Sequence, residues 1–162
     1  MKQLMIVRHA KAGWGDPGLA DFQRPLNKRG VSDSLVMAQH LLDKSIVPQY
    51  IVSSPALRAL TTAKQFAKTL GIKTADFATD KCIYEANSNT LLDVVWGLDD
   101  RHDKIMLVGH NPGLFDMVRS LVAQNIDELS TCEVIAIQFD CDQWHKIDSR
   151  SGATFFNAAP QK

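Results

Sequence analysis

Leu4-Met5-Ile6-Val7-Arg8-His9-Ala10 is the segment that most strongly indicates how this chain folds. Its apolar run, with β-branched Ile6 and Val7, is typical of a short strand buried on both faces, as in a parallel sheet. Ligands of open α/β sheets bind beyond the carboxyl ends of such strands. Because the run ends abruptly in Arg8 and His9, we expect an anion site there, with a potential nucleophile facing it. A strand-end pair that only faces water is the alternative at this point.

Two later segments repeat or complement this pattern. Lys104-Ile105-Met106-Leu107-Val108-Gly109-His110 is a second apolar strand that delivers a histidine at its carboxyl end. Gln49–Ser54 predicts another strand, followed by a helix over about 56–70 that ends at glycine 71. Arg58 falls in the first turn of that helix, where a cation is electrostatically unfavourable. Its position therefore indicates an anion nearby.

The remaining elements predict one mostly parallel sheet with helices on both faces, because strand and helix patterns alternate up to residue 124. Further helices are expected over about 30–44, 90–98 and 111–124. Glu133–Phe139 and Trp144–Ile147 are interpreted as a closing hairpin. Residues 148–162 show no clear period and are expected to form a loosely docked tail. The whole chain, 1–162, is predicted to be a single domain.

Composition narrows the class of protein. The 18 lysine and arginine residues balance 18 aspartate and glutamate residues, whereas nucleic-acid-binding surfaces usually leave a basic excess. Neither a signal peptide nor a membrane span is expected, since no apolar run is long enough. The cysteines are odd in number and lack Cys-x-x-Cys spacing, which favours a reducing compartment, the cytoplasm, over a disulfide framework or a zinc site: Cys82, Cys132 and Cys141.

Residues 10–29 are predicted to form a long loop over the end of the first strand, since their glycines and prolines prevent a long helix. Within the loop, Gly13-Trp14-Gly15-Asp16-Pro17-Gly18 formally matches the dinucleotide-binding pattern G-x-G-x-x-G. That pattern should open a helix directly after a strand, and no helix start follows here. Dinucleotide binding is therefore rejected.

Three segments, taken together and in order, resemble the signatures of the histidine phosphatase superfamily. They are Arg8-His9-Ala10, Ser54-Pro55-x-x-Arg58-Ala59-x-x-Thr62-Ala63 and Gly109-His110-Asn111-Pro112. Two further segments, together with the late Ser130-Thr131, are similar to the small SixA-like phosphohistidine phosphatases of that superfamily: Arg8-His9-Ala10-Lys11-Ala12 and Arg24-Pro25-Leu26-x-x-x-Gly30. Ala10 stands where the superfamily signature has glycine. The similarity extends from the start of the chain to about residue 147.

The resemblance implies a phosphoglycerate mutase-like fold, a three-layer α/β/α sandwich around a central, mostly parallel sheet. It also implies a role for each matching residue. His9 would be the nucleophile, phosphorylated on Nε2 during turnover. Arg24 would add a phosphate contact from the long loop, and Glu85 occupies the position where many members place a proton donor. The pocket for the phosphoryl oxygens would be formed by Arg8, Arg58 and His110.

The chemistry of these side chains supports the same activity. Phosphoryl transfer needs positioning and charge stabilisation more than covalent help, so guanidinium and imidazole groups suffice without a metal or cofactor. Arginines beside His9 should lower its pKa and keep the ring neutral and nucleophilic. Together with the resemblance, this chemistry leads us to expect a monomeric, metal-independent phosphatase that works through a phosphohistidine intermediate. Phosphohistidine carried by a protein is the expected substrate, because a chain of this size leaves no large insertion to form a lid over the site. A small-molecule phosphomonoesterase or phosphoglycerate-mutase-like enzyme is the alternative, followed by a non-catalytic phosphate-binding module.

Overall fold

The computed structural model describes all residues, 1–162. Its strands are β1 (Lys2–Arg8), β2 (Tyr50–Ser53), β3 (Phe77–Thr79), β4 (Lys104–Gly109), β5 (Val134–Phe139) and β6 (Gly152–Ala158). Its helices are α1 (Lys28–Asp43), α2 (Leu57–Leu70), α3 (Ser88–Trp96) and α4 (Gly113–Leu121). None of these helices combines the length and apolarity needed to cross a membrane.

The strands form one sheet in the order β3-β2-β4-β1-β5-β6. β1, β2, β3 and β4 pair in parallel, and β5 runs antiparallel to both β1 and β6. Five of the six strands therefore point the same way. The predicted mostly parallel sheet between two helical layers is confirmed, and the carboxyl ends of β1, β2 and β4 meet at one edge.

Alternate residues of β1 explain why its sequence is apolar without interruption. Leu4 and Ile6 join a cluster of 19 buried residues that includes α3 and α4, whereas Met5 and Val7 join a cluster of 16 that includes α1 and α2. All four side chains are at most 1% exposed. Burying such a side chain contributes roughly 1.5–3 kcal/mol to the stability of the fold. A strand at the centre of the sheet, with both faces covered, therefore favours an apolar residue at every position.

The predicted closing hairpin is wrong in its second strand. Trp144–Lys146 forms a 3-10 turn, because the Trp144 indole is fully buried and donates to the carbonyl of His102 at 2.9 Å. The antiparallel partner of β5 is instead β6, within the residues expected to be a loose tail. Its side chains alternate between half-buried and exposed, with Thr154 and Phe156 facing the protein. That alternation is the signature of a half-buried strand.

Smaller differences concern the ends of elements. α4 ends at Leu121 rather than near residue 124, and α2 begins at Leu57. β3 was not predicted, since it contains only three residues and is nowhere fully buried. The predicted end of α2 is confirmed: Gly71 adopts a left-handed conformation with φ 73°, which glycine accepts without a steric penalty.

The long loop after β1 is anchored where it returns to α1. Asn27 caps the helix by accepting the Gly30 backbone N–H at 2.8 Å, and the Asn27 N–H donates to the Lys11 carbonyl at 3.0 Å. A Cβ atom at Gly30 would overlap that Lys11 carbonyl oxygen. Only glycine permits this approach, which holds both ends of the loop beside the functional edge of the sheet.

Candidate active site

His9 and His110 leave two neighbouring strands at the same level of the sheet. β1 and β4 pair in register, with Arg8 opposite Gly109, so the next residue in each strand is a histidine. The His9 N–H donates to the Gly109 carbonyl at 3.0 Å, and the two imidazole centroids lie 5.2 Å apart. The structure thus brings together the two histidines that the sequence places at one edge.

A backbone contact sets the tautomer of His9. Its Nδ1 lies 2.8 Å from the Ala10 carbonyl oxygen. Because a carbonyl only accepts, Nδ1 carries the hydrogen and Nε2 keeps a lone pair. The His9 pKa is lowered to about 4: burial is the largest cause, the Ala10 contact opposes it, and the nearby charges of Arg58, Arg8 and Arg24 add to the lowering. The ring is therefore neutral at pH 7, with Nε2 chemically able to attack an electrophile.

His110 is held from the end of β2. Its Nε2 lies 2.8 Å from the Ser54 hydroxyl oxygen, which also accepts the Ala56 N–H at 3.2 Å. Burial is the largest cause of a His110 pKa lowered to about 3, followed by repulsion from His9 whenever that ring is protonated and by the positive charge of Arg58. The buried Nδ1 has no hydrogen-bond partner within the protein.

Arg58 reaches the same edge from the first turn of α2. Its side chain is 9% exposed. The guanidinium donates to the Asp21 backbone carbonyl at 2.7 Å and to the Asp21 carboxylate at 3.0 Å. Thr62, from the same signature, fixes the helix against the end of β1 by accepting the Ala10 N–H at 3.0 Å while donating to the Arg58 carbonyl at 2.7 Å.

Arg8 is the last residue of β1 and directly precedes His9. One terminal nitrogen donates to the Leu129 carbonyl at 3.1 Å, which also accepts the Asn111 amide at 2.9 Å. The buried Arg8 Nε and Asn111 Oδ1 have no partner. Burial lowers the pKa of Arg8, and the neighbouring Glu133 carboxylate opposes that effect. Arg8 thus brings a second guanidinium to this edge, anchored through Leu129.

Arg24 approaches from the long loop, as expected. Its Nε donates to the Gly13 carbonyl at 3.2 Å, and its guanidinium lies 4.2 Å from the ring centroid of Trp14. A terminal nitrogen contacts the Asp21 carboxylate at 3.2 Å. The charge of Arg24 is close enough to contribute to the lowered pKa of His9, so all three arginines converge on that ring.

Glu85 lies at the rim of the same site. It is exposed, and its backbone φ of 58° lies in the left-handed region. With His110 and Arg58 it lines a cavity of about 440 Å³ whose other lining residues are Asp21, Tyr84, Ala86, Asn87, Asn111, Pro112, Gly113 and Asp116. The Tyr84 and His110 ring centroids are 5.5 Å apart. His9 lies beside this cavity rather than in its lining.

Sequence analysis missed two residues of this site, Asp21 and Tyr84. The Tyr84 hydroxyl donates to the Asp21 carboxylate at 2.7 Å. Asp21 begins a single 3-10 turn and Tyr84 directly follows another, and such short turns have no periodicity that marks a functional side chain. The one available signal was a carboxylate three residues before Arg24 in a loop rich in cations.

Larger cavities, of about 590 and 560 Å³, lie away from these side chains. The first is over β2 and β3, and the second is between α1 and the last residues of the chain. We place the site at the smaller cavity because the histidines and arginines converge there. No group of three or more His, Cys, Asp or Glu side chains is arranged to hold a metal ion.

Comparisons with known proteins identify the family and the fold of the chain. The model of the histidine phosphatase superfamily (branch 1) matches residues 4–91. An uncharacterised chloroplastic protein of Arabidopsis thaliana is 29% identical over 159 residues, covering 93% of this chain and 72% of the plant protein.

Solved structures resemble the whole chain. A protein of Agrobacterium tumefaciens, named as a candidate phosphohistidine phosphatase SixA, is 25% identical, with a TM-score of 0.84 and 99% of each chain covered. The protein histidine phosphatase SixA in complex with tungstate has a TM-score of 0.82 at 18% identity, with 97% of this chain and 96% of that chain covered. A mycobacterial glucosyl-3-phosphoglycerate phosphatase has a TM-score of 0.68 at 14% identity, with 99% and 100% covered. The similarity to the last two structures shows a shared fold and nothing more. The family model matches more than half of this chain, and the chain therefore belongs to the histidine phosphatase superfamily.

Proposed function

We propose that this phosphatase forms a covalent phosphohistidine at His9 and acts without a metal on phosphohistidine carried by a protein. The observation that carries the proposal is the state of His9. Its Nδ1 is committed to a backbone carbonyl and its pKa is lowered to about 4, which leaves a neutral ring with a free Nε2 among three guanidinium groups.

In the first step, His9 Nε2 attacks the phosphorus of the substrate. The bond from phosphorus to Nε2 forms as the bond to the substrate's imidazole nitrogen breaks, and the leaving imidazole takes a proton from solvent. Water then attacks the phosphohistidine, and inorganic phosphate leaves as the Nε2–phosphorus bond breaks. Charge on the phosphoryl oxygens is stabilised by the side chains that surround His9: Arg8, Arg24, Arg58 and His110.

Two buried nitrogens support a role in binding phosphoryl oxygens. Arg8 Nε and His110 Nδ1 lack a hydrogen-bond partner within the protein, although buried polar groups are nearly always paired. Arg8 Nε carries a hydrogen to donate. If the Ser54 hydroxyl donates to His110 Nε2, the neutral ring carries its hydrogen on Nδ1. Both nitrogens then complement an oxyanion.

The surroundings of the site support a protein substrate over a small molecule. Trp14 is 80% exposed beside Arg24, and Phe22 is 40% exposed while packing edge-on against Tyr84. Exposed aromatic side chains beside a reactive centre favour contact with another protein. Three of the similar structures are SixA proteins, and their names carry the same activity.

Glu85 favours the alternative, a small-molecule phosphomonoesterase or phosphoglycerate-mutase-like enzyme. An alkoxide leaving group needs a proton donor, and Glu85 lines the same cavity as His110. A phosphohistidine substrate expels imidazole, which is a much better leaving group and depends less on such an acid. The two functions therefore differ in their need for Glu85.

We also propose that the protein is one domain over 1–162 and works as a monomer in the cytoplasm. Its three cysteines are all free, which supports a reducing compartment.

The test compares His9→Ala with wild type on p-nitrophenyl phosphate and on a histidine-phosphorylated protein. We expect the variant to lose on the order of 10³-fold or more in rate, since it loses the covalent step. Wild-type activity should withstand EDTA. The exposed His145, on the turn after β5, provides the matched control His145→Ala, which should keep full activity. Full activity in His9→Ala would end the mechanism, and preference for sugar phosphates or phosphoglycerates over the phosphoprotein would favour the alternative substrate.

A further inference from the structure

Asp21 is the one acidic side chain that bridges the arginines of the site. Its carboxylate accepts from Arg58 at 3.0 Å, from the Tyr84 hydroxyl at 2.7 Å and from Arg24 at 3.2 Å. Its backbone carbonyl accepts a second bond from Arg58 at 2.7 Å. These partners come from the long loop, from α2 and from the segment before α3. A single side chain thus connects three separate segments across the mouth of the cavity.

The same donors are the ones assigned to the substrate's phosphoryl group. A guanidinium presents a planar fork of N–H groups that fits a carboxylate or a phosphate in similar geometry. Two N–H groups of Arg58 already point at Asp21. The carboxylate is ionised at any working pH, because bonds from Tyr84, Arg58 and Arg24 lower its pKa to about 2. A dianion arriving at these arginines therefore meets a negative charge that uses part of the same donor set.

We propose that Asp21 is a positioning residue that limits affinity for oxyanions: its carboxylate acts as an internal counter-anion, holding Arg58 and Arg24 in place and competing with phosphate for them. The inference rests on the proposed function, since it takes these arginines to be phosphate ligands. Its consequence is specific. Product phosphate is retained weakly, because the carboxylate regains its bonds to both guanidinium groups as phosphate leaves.

Affinity for inorganic phosphate tests this directly, because loss of a merely structural contact does not tighten binding. We would measure the inhibition constant of phosphate against p-nitrophenyl phosphate and the dissociation constant of tungstate by calorimetry. Asp21→Asn removes the charge and keeps the shape, and Asp21→Ala repeats the charge loss. Asp16→Asn is the matched control: Asp16 lies in the same loop, and its carboxylate accepts only from the Gly18 N–H at 3.2 Å. Melting temperatures report whether each variant is folded.

Both Asp21 variants should bind phosphate and tungstate about five- to tenfold more tightly than wild type. That range follows from removing a like charge at a half-exposed position, where screening reduces the effect. Asp16→Asn should stay within about twofold of wild type. Unchanged or weaker oxyanion binding in folded Asp21 variants, with normal binding in wild type, would overturn this inference alone. A wild-type protein that binds neither oxyanion would overturn the proposed function and this inference with it.

Discussion

The neutral state of His9 has a measurable consequence for stability as pH falls. Burial, aided by nearby arginines, lowers the pKa of this ring from 6.5 to about 4. The unfolded chain therefore binds a proton at His9 at a higher pH than the folded protein does. By linkage, the free energy of unfolding falls as pH drops from the unfolded pKa towards about 4, because protonation favours the unfolded chain. The contribution is fully present above about pH 7.

The size of this effect follows from the two pKa values. One pKa unit corresponds to about 1.4 kcal/mol, so a change from 6.5 to about 4 is worth about 3 kcal/mol when fully expressed. Between pH 7.5 and pH 4.5 most of it is expressed, about 2.5 kcal/mol for His9. His110, whose pKa is lowered to about 3, adds a loss of the same sign and similar size.

His9→Asn isolates the contribution of His9, because the asparagine amide does not titrate. Urea unfolding of wild type and variant at pH 7.5 and pH 4.5 gives four free energies. We expect wild type to lose about 2.5 kcal/mol more than the variant on acidification. The difference of differences cancels the carboxylates common to both proteins. Equal losses in the two proteins would mean that His9 titrates alike in the folded and unfolded states, which would refute the neutral buried nucleophile.

Two further predictions concern other residues of the structure. Glu85→Gln should slow hydrolysis of an alkyl phosphate by roughly 10²–10⁴-fold, as for loss of a general acid. The same substitution should slow phosphohistidine hydrolysis far less. Equal slowing of the two reactions in steady-state kinetics would count against a phosphohistidine substrate. Gly30→Ala should lower the free energy of unfolding by about 2–3 kcal/mol, because the new methyl group overlaps the Lys11 carbonyl. Urea titration checks this, with Gly18→Ala as the control, because the nearest atom to a Cβ at Gly18 is the Asp16 carboxylate at 3.9 Å. If the free energies of unfolding of the two variants differ by less than about 0.5 kcal/mol, the packing argument is contradicted.

The parts of the fold that the sequence predicted are those where burial writes a strong pattern. β1 and β4 are continuous apolar runs because both their faces are covered, and α2 ends at a glycine because its last turn requires a left-handed residue. The juxtaposition of His9 and His110 followed from these strands, since parallel neighbours deliver their next residues to one edge. Pattern and topology together thus predict that the two histidines meet, as the structure has them.

The missed parts are those that depend on distant contacts. Trp144 is in a run with strand-like composition, yet its buried indole and the His102 carbonyl hold it in a 3-10 turn. β6 alternates only weakly, since its facing residues are half-buried. The role of Asp21 depends on its contacts with Arg58, 37 positions away, and with Tyr84, 63 positions away. No local propensity encodes such partners.

Rapid-quench detection of the phosphorylated enzyme would show whether His9 carries the phosphoryl group during turnover. The protein is mixed with a histidine-phosphorylated protein substrate, quenched under alkaline conditions that preserve phosphohistidine, digested and sequenced by mass spectrometry. If His9 is the nucleophile, we expect phosphate on His9 within one turnover, none on His110, and none anywhere in His9→Ala. Turnover of substrate with no phosphate on His9 at any quench time, or with phosphate on another residue, would contradict it.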